Sequence, residues 1–133
     1  MVMEAARGSL SPNSIEVNAV KRHNGPLLVA KLLEDSLLGS SRINSSSRVQ
    51  DPYSIRCSSL LIGAALDALR WARRNLENEI NSTSDNPVMI GTSFKSTCHF
   101  HGQYISLSSD LARNAVASLT LRRGGAPNYL GGK

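Results

Sequence analysis

Leucine, isoleucine and alanine recur at helical spacing along two long stretches of the chain, each bounded by residues that break helices. The first stretch, GPLLVAKLLEDSLLG, sets Leu28, Leu32 and Leu38, joined by Leu27 and Leu33, on one broad apolar face and predicts a helix that Gly39 ends. Upstream, Ser14 to about Arg22 has weak helical character, and Asn24-Gly25-Pro26 separates the two segments. The second stretch runs from Asp51-Pro52 to about Asn81, with Ile55, Ile62, Leu69 and Leu76 seven residues apart and Leu66, Ala72 and Ile80 widening the stripe. Asp before Pro is a start signal: the carboxylate accepts orphan N–H groups and Pro loses nothing in a first turn. Between Leu60 and Ala72 the pattern is apolar nearly all round, which predicts a helix inside a bundle. At ~1.5 Å per residue that helix is roughly 40 Å long, more than the remaining chain covers, so cover is expected from elsewhere.

Polar segments join these stretches. SSRINSSSR, residues 40 to 48, has no periodicity and predicts an exposed, mobile connection. NSTSDNPV stops the long helix, because Pro87 pushes Asn86 out of the α region. Residues 88 to 101 predict a short non-helical excursion, and Ile105, Leu107, Leu111, Ala115 and Leu119 carry a final helix from about Gln103 to Leu121. The tail GGAPNYLGGK, residues 124 to 133, is Gly-rich and expected to fray. The predicted fold class is therefore all-α, a bundle of long helices.

Composition agrees with this pattern. Of 133 residues 41% are hydrophobic and only 5% aromatic, which favours helix on helix over an all-β fold. The net charge of +5 is spread over Lys21, Arg22, Arg42, Arg48, Arg56, Arg70, Arg73, Arg74, Arg113, Arg122 and Arg123, without a basic run interleaved with aromatics. It reads as a solvated surface rather than a nucleic-acid interface. Two cysteines point to a reducing compartment. The first residues carry no signal-peptide core, and no stretch approaches the roughly 18 apolar residues of a membrane span. A cytoplasmic protein with no membrane partner is the expectation.

Candidate chemistry concentrates at the mouth of the long helix. Tyr53 and Arg56 stand three apart with Gln50 just before them. Arg offers a planar fork for a carboxylate and Tyr a hydroxyl that donates or relays a proton, a set suited to an amino acid's carboxylate. Spacing equally allows Arg56 to pair with Asp51 or a neighbouring acid while Tyr53 wedges between helices. In CHFH, Cys98, His99 and His101 are competent zinc ligands, but a closed site needs a fourth and His23 is the remaining histidine. Packing or hydrogen bonding is the reading taken, with no metal. Cys57 reads as an inert core cysteine, and neither a nucleophile elbow nor a phosphate loop occurs.

RVQDPYSIRC, ENEINSTSDNPV and FHGQ, in that order and spacing, resemble the histidine and aromatic amino acid ammonia-lyase family. EAARGS, the His23-Asn24-Gly25 break and the Leu-rich helix after it extend the resemblance over about residues 3 to 123. The resemblance implies an almost wholly helical homotetramer whose long helices form a central bundle, with residues 1–123 the central helical part of such a domain. It also implies a methylidene-imidazolone (MIO) electrophile, made from an Ala-Ser-Gly tripeptide, that activates an amino acid for loss of ammonia. By the same resemblance Arg56 grips the substrate carboxylate, Tyr53 is catalytic and lines the site with Gln50, Asn86 joins the polar network around substrate and electrophile, and Phe100 packs beside the electrophile. His101 resembles the histidine-type members and favours histidine to urocanate. Phenylalanine, tyrosine or a 2,3-aminomutase reaction are the alternatives.

The chain also departs from the family pattern. It has no Ala-Ser-Gly; the nearest look-alike, Ala117-Ser118-Leu119, lacks the glycine and lies in a predicted helix. The family's other catalytic Tyr is expected upstream of Met1 and its C-terminal acid beyond Lys133. Ser58-Ser59-Leu60 replaces a Pro-Gln-containing turn, Cys98-His99 replaces Gly-Asn, and Leu121 stands where an acid precedes Arg122-Arg123. The expectation is a chain that carries part of an active site and is inactive alone, acting as a homo-oligomer or with a companion lyase chain on an amino acid substrate. The competing reading is a non-enzymatic helical interaction module.

Overall fold

Breakers and caps set the helix boundaries along the chain. A computed structural model describes residues 2–123, with side chains through Thr120. Helix α1 (Val2–Ala5) buries Met3 and leads through a 3-10 turn, Ser11–Asn13, to α2 (Ile15–Ala19). Ser14 caps α2, its hydroxyl accepting the Val17 N–H at 3.3 Å, and the Glu34 carboxylate accepts the Ile15 N–H at 2.7 Å. After Arg22, in the left-handed region at φ 60°, the chain enters α3 (Asn24–Leu37). Gly25 and Pro26 thus form the first turn of α3, where the missing proline N–H has no helical partner to lose. Gly39, at φ 79°, follows its end.

Not every leucine of the predicted α3 face is covered. Gly25, Pro26, Val29, Ala30 and Leu37 are buried, while Leu32 and Leu38 are exposed. The Ser-rich connection after α3 is tied down rather than free. The Asn44 N–H donates to Gly8 O at 2.9 Å, the Asn44 side chain accepts the Leu10 N–H at 2.9 Å, and Ser40 Oγ donates to Glu4 at 2.7 Å.

The predicted continuous helix from residue 52 to 81 is two: α4 (Tyr53–Arg56) and α5 (Ser58–Ile80), parted at Cys57 with φ −106° and ψ 16°. The first turns of α3 and the middle of α5 cross at Gly25 and Gly63 with backbone against backbone; the Gly25 N–H also donates to Asp67 at 2.9 Å. Past α5, the cis peptide Asn86–Pro87 opens a two-stranded antiparallel hairpin, β1 (Val88–Ile90) and β2 (Ser93–Lys95), with Met89 opposite Phe94. Gly91 turns it at φ 61°. A 3-10 turn, His99–His101, and Gly102 at φ 67° then start α6 (Gln103–Arg123). The helical prediction holds, with this small hairpin added inside the predicted excursion.

Contacts divide the described residues into two compact units, one of residues 2–67 and 115–123, the other of Ala68–Asn114. Buried apolar residues are mostly small, with Ala30, Ala65, Ala72 and Ala115 prominent, whereas Ile62, Trp71, Ile80, Ile105 and Leu107 are exposed. No helix among the described residues is long and apolar enough to cross a membrane.

Candidate active site

In the first unit, the turn that carries Gln50, Tyr53 and Arg56 is anchored before it begins. Asp51 has its side chain only 3% exposed; it accepts the Ser9 N–H at 2.5 Å and lies 3.4 Å from the Arg48 guanidinium, which also donates to the Ala6 carbonyl. Asp51 is therefore engaged by Ser9 and Arg48. Arg56 instead donates through Nη1 to the neutral side chain of Gln50 at 2.5 Å. Tyr53, between them in sequence, opens α4 and is 53% exposed. A hollow of about 410 Å³ borders this turn, lined by Arg7, Ser9, Arg48, Gln50, Asp51 and Arg56. A guanidinium held by an amide oxygen keeps its positive charge uncompensated by that partner and retains further N–H donors for an anion.

Asn13, which the sequence reading passed over, holds the break between α4 and α5. It is 0% exposed; its Nδ2–H donates to Ile55 O at 2.9 Å, and its Oδ1 accepts the Ser59 N–H at 2.9 Å. Ser59 Oγ donates to Asn18 Oδ1 at 3.1 Å, and Asn18 donates to Ser14 O at 2.9 Å. The available signal was Ser58-Ser59 at the head of an otherwise apolar helix, two hydroxyls that need polar company once buried.

The pinning of Asp51 carries a testable consequence. Asp51→Ala removes a buried acceptor, leaves the Ser9 N–H without it and deprives Arg48 of its acid, so a loss of about 1–3 kcal/mol is expected. Urea denaturation against the unsubstituted chain measures it; an unchanged midpoint would contradict the anchoring role.

Asn86, Phe100 and His101 lie in the second unit. Asn86 Oδ1 accepts the Thr97 N–H at 2.7 Å and the Ser96 hydroxyl at 3.3 Å, tying the exit of β2 to the entrance of β1. Its carboxamide oxygen thus has a structural task. Phe100 is 64% exposed and lines a hollow of about 580 Å³ with Glu79, Thr83, Cys98, His101 and Tyr104. His101 Nε2 is 3.0 Å from Gln103 Oε1, and His99 Nδ1 is 3.1 Å from Thr83 Oγ1. Among the described residues no group of three or more His, Cys, Asp or Glu could hold a metal ion, so Cys98, His99 and His101 do not converge on one.

Comparison with known proteins identifies the family. Residues 1–121 match the family described as aromatic amino acid lyase. Histidine ammonia-lyase of Stigmatella aurantiaca is 42% identical over 126 residues, covering 90% of this chain and 24% of that protein. Histidine ammonia-lyase of Myxococcus xanthus (strain DK1622) is 40% identical, covering 90% and 25%. The chain therefore spans about a quarter of these relatives' length. Among solved structures, phenylalanine aminomutase of Pantoea agglomerans superposes with a TM-score of 0.83 at 28% identity, covering 98% of this chain and 31% of that one. Ergothionase of Treponema denticola, an ergothioneine-degrading enzyme, gives 0.81 at 26% identity, covering 89% and 24%. Motifs, helices and relatives agree: the chain belongs to the histidine and aromatic amino acid ammonia-lyase family.

Proposed function

We propose that the chain supplies the carboxylate-binding part of an ammonia-lyase active site acting on L-histidine, with urocanate and ammonia as products. The observation that carries this reading is the Arg56 guanidinium meeting neutral Gln50 while Arg48 and Ser9 take Asp51. Arg56 binds the amino acid's carboxylate through its remaining donors, and a fixed carboxylate holds the β-carbon proton where a base reaches it. Tyr53, on the same turn, supplies a hydroxyl for proton transfer. In the second unit, Phe100 and His101 flank the electrophile and Asn86 joins its polar surroundings. The electrophile, MIO, when present provides the electron sink that lets the amine leave; its Ala-Ser-Gly source comes from outside these 133 residues.

His101 and the two histidine ammonia-lyase relatives support histidine over phenylalanine or tyrosine. In an assembly completed by the remaining family elements, turnover of the three amino acids separates these branches. Histidine is expected to give the highest kcat/KM, and a preference for phenylalanine or tyrosine would overturn the substrate assignment. A 2,3-aminomutase reaction would show as a β-amino acid product.

The exposed Ile62, Trp71, Ile80, Ile105 and Leu107 support a partner, either further copies or a companion lyase chain, in a reducing cytoplasm. Full burial of an exposed side chain of this kind is worth about 1.5–3 kcal/mol, and these, about half exposed apart from the more open Ile80, forgo part of it. Sedimentation velocity of the isolated chain is expected to show association that grows with concentration. A monodisperse, cooperatively folded monomer would contradict it. These same open faces support the second reading, a helical interaction module without catalysis.

A further inference from the structure

We propose that Asn13 is a positioning residue for Arg56 and Tyr53, acting by splicing its carboxamide into the helical ladder between α4 and α5. In an uninterrupted helix the Ser59 N–H donates to the carbonyl of Ile55, four residues earlier. Here both groups are present and neither bonds the other: Ile55 O takes Asn13 Nδ2–H at 2.9 Å, and Ser59 N–H gives to Asn13 Oδ1 at 2.9 Å. One amide replaces one peptide hydrogen bond with two, adding its own length to that turn. The Ser58 hydroxyl closes the arrangement, 2.7 Å from Ile55 O and 3.2 Å from Asn13 Oδ1. The backbone on either side is ordinary helix, with Arg56 N–H to Pro52 O at 3.0 Å and Leu61 N–H to Cys57 O at 3.0 Å. The interruption lies between the Cys57 N–H to Tyr53 O bond and the Leu61 N–H to Cys57 O bond, the stretch that Asn13 enters.

The consequence falls on the four residues ahead of the break. Without the inserted amide, Ile55 O and Ser59 N–H are free to pair directly, α4 and α5 become one helix, and Tyr53 and Arg56 turn to a different heading. Asn13 is wholly buried and has no route to solvent or substrate, so its influence on the site passes through Ile55. This inference rests on reading Arg56 as the carboxylate-binding group, but its test involves no turnover.

The experiment is nuclear magnetic resonance on the whole chain. In the unsubstituted protein, the scalar coupling across the Ser59 N–H hydrogen bond is expected to reach the side-chain carbonyl carbon of Asn13; coupling to the Ile55 carbonyl carbon overturns the proposal. In Asn13→Ala that coupling is expected to move to Ile55, and the Arg56 Nε–Hε resonance to shift with loss of the Gln50 hydrogen bond. Asn18→Ala removes another member of the same buried network, lowering the melting temperature with Arg56 unmoved. An Arg56 signal unchanged in Asn13→Ala, or equally shifted in Asn18→Ala, overturns the positioning role. Where Asn13→Ala does not fold, the isosteric Asn13→Asp keeps the Ser59 acceptor and loses the N–H to Ile55, and Arg56 is expected to shift likewise. Should that variant also not fold, the native coupling decides. A shifted Arg56 in a chain that never supports lyase activity would leave the positioning intact and reject only the carboxylate reading.

Discussion

Gly63→Ala is expected to lower the melting temperature of this chain by many degrees, the reverse of what the same change does on an exposed helix surface. In a helix interior Ala is favoured over Gly by about 1 kcal/mol, so propensity alone favours the variant. Packing decides otherwise. A Cβ built on Gly63 falls 2.5 Å from the Gly25 carbonyl carbon and nearer still to the Pro26 backbone. The obstruction is main chain, with no side chain to swing aside, so α3 and α5 must separate. Separation weakens the Gly25 N–H to Asp67 bond at 2.9 Å and opens the backbone contact of Gly63 with Gly25 and Pro26. Overpacking costs about 1–3 kcal/mol where side chains adjust, and the upper end or beyond is expected here. Against a typical total of about 5–15 kcal/mol this is a large share. Gly25→Ala is expected to behave alike, since its Cβ would meet the Gly63 carbonyl and lie 2.7 Å from the Asp67 carboxyl carbon. Gly39→Ala is the control: nothing stands within 4 Å, and only its φ of 79° disfavours the change. Thermal denaturation followed by circular dichroism measures all three. Equal melting temperatures for Gly63→Ala and the unsubstituted chain would contradict the crossing.

Arg56→Ala carries the largest expected effect on chemistry. Truncating one member of a hydrogen-bonded charge pair that substrate binding desolvates costs about 2–5 kcal/mol, roughly thirty- to five-thousand-fold in kcat/KM. In an assembly completed by the remaining lyase elements, lyase activity is expected to fall by that factor while association is unchanged. Arg56→Lys is expected to recover little, because an ammonium lacks the planar fork that both holds Gln50 and faces a carboxylate. Steady-state kinetics and native mass on the same samples separate the outcomes. Loss of assembly in Arg56→Ala would make Arg56 structural, and full activity would remove it from the site.

Much of this arrangement was legible in the sequence, and the remainder has identifiable physical causes. The three long helices follow from apolar periodicity and breakers, and their ends at Leu37, Ile80 and about residue 103 lie close to those expected. The interruption at Cys57 was hidden because its cause is elsewhere: the local pattern from Ile55 to Leu69 is continuous, and Asn13 enters from 42 residues before Ile55. The hairpin was missed because strands of three residues are too short to show alternation; Gly91 was its one local sign. The mobile loop expected at 40–48 carried Asn44 unnoticed, although an Asn at φ 60° with both its main-chain N–H and its side chain bonded fixes such a segment. At the candidate site, the grouping of Gln50 with Arg56 was legible from spacing. The choice between Arg48 and Arg56 as partner of Asp51 was not, since both are three to five residues away and only the fold selects. The Gly-rich tail lies outside the described residues.

On the proposed reading, these 133 residues hold the carboxylate-binding part of a lyase site and need the electrophile from elsewhere. The most direct measurement is urocanate formation from L-histidine by the purified chain, alone and mixed with polypeptide that carries Ala-Ser-Gly and the rest of the family's site. No turnover is expected from the chain alone, and urocanate is expected from the mixture and lost again with Arg56→Ala. Enzyme-like conversion by these residues on their own, or undiminished activity of the mixture with Arg56→Ala, would contradict it.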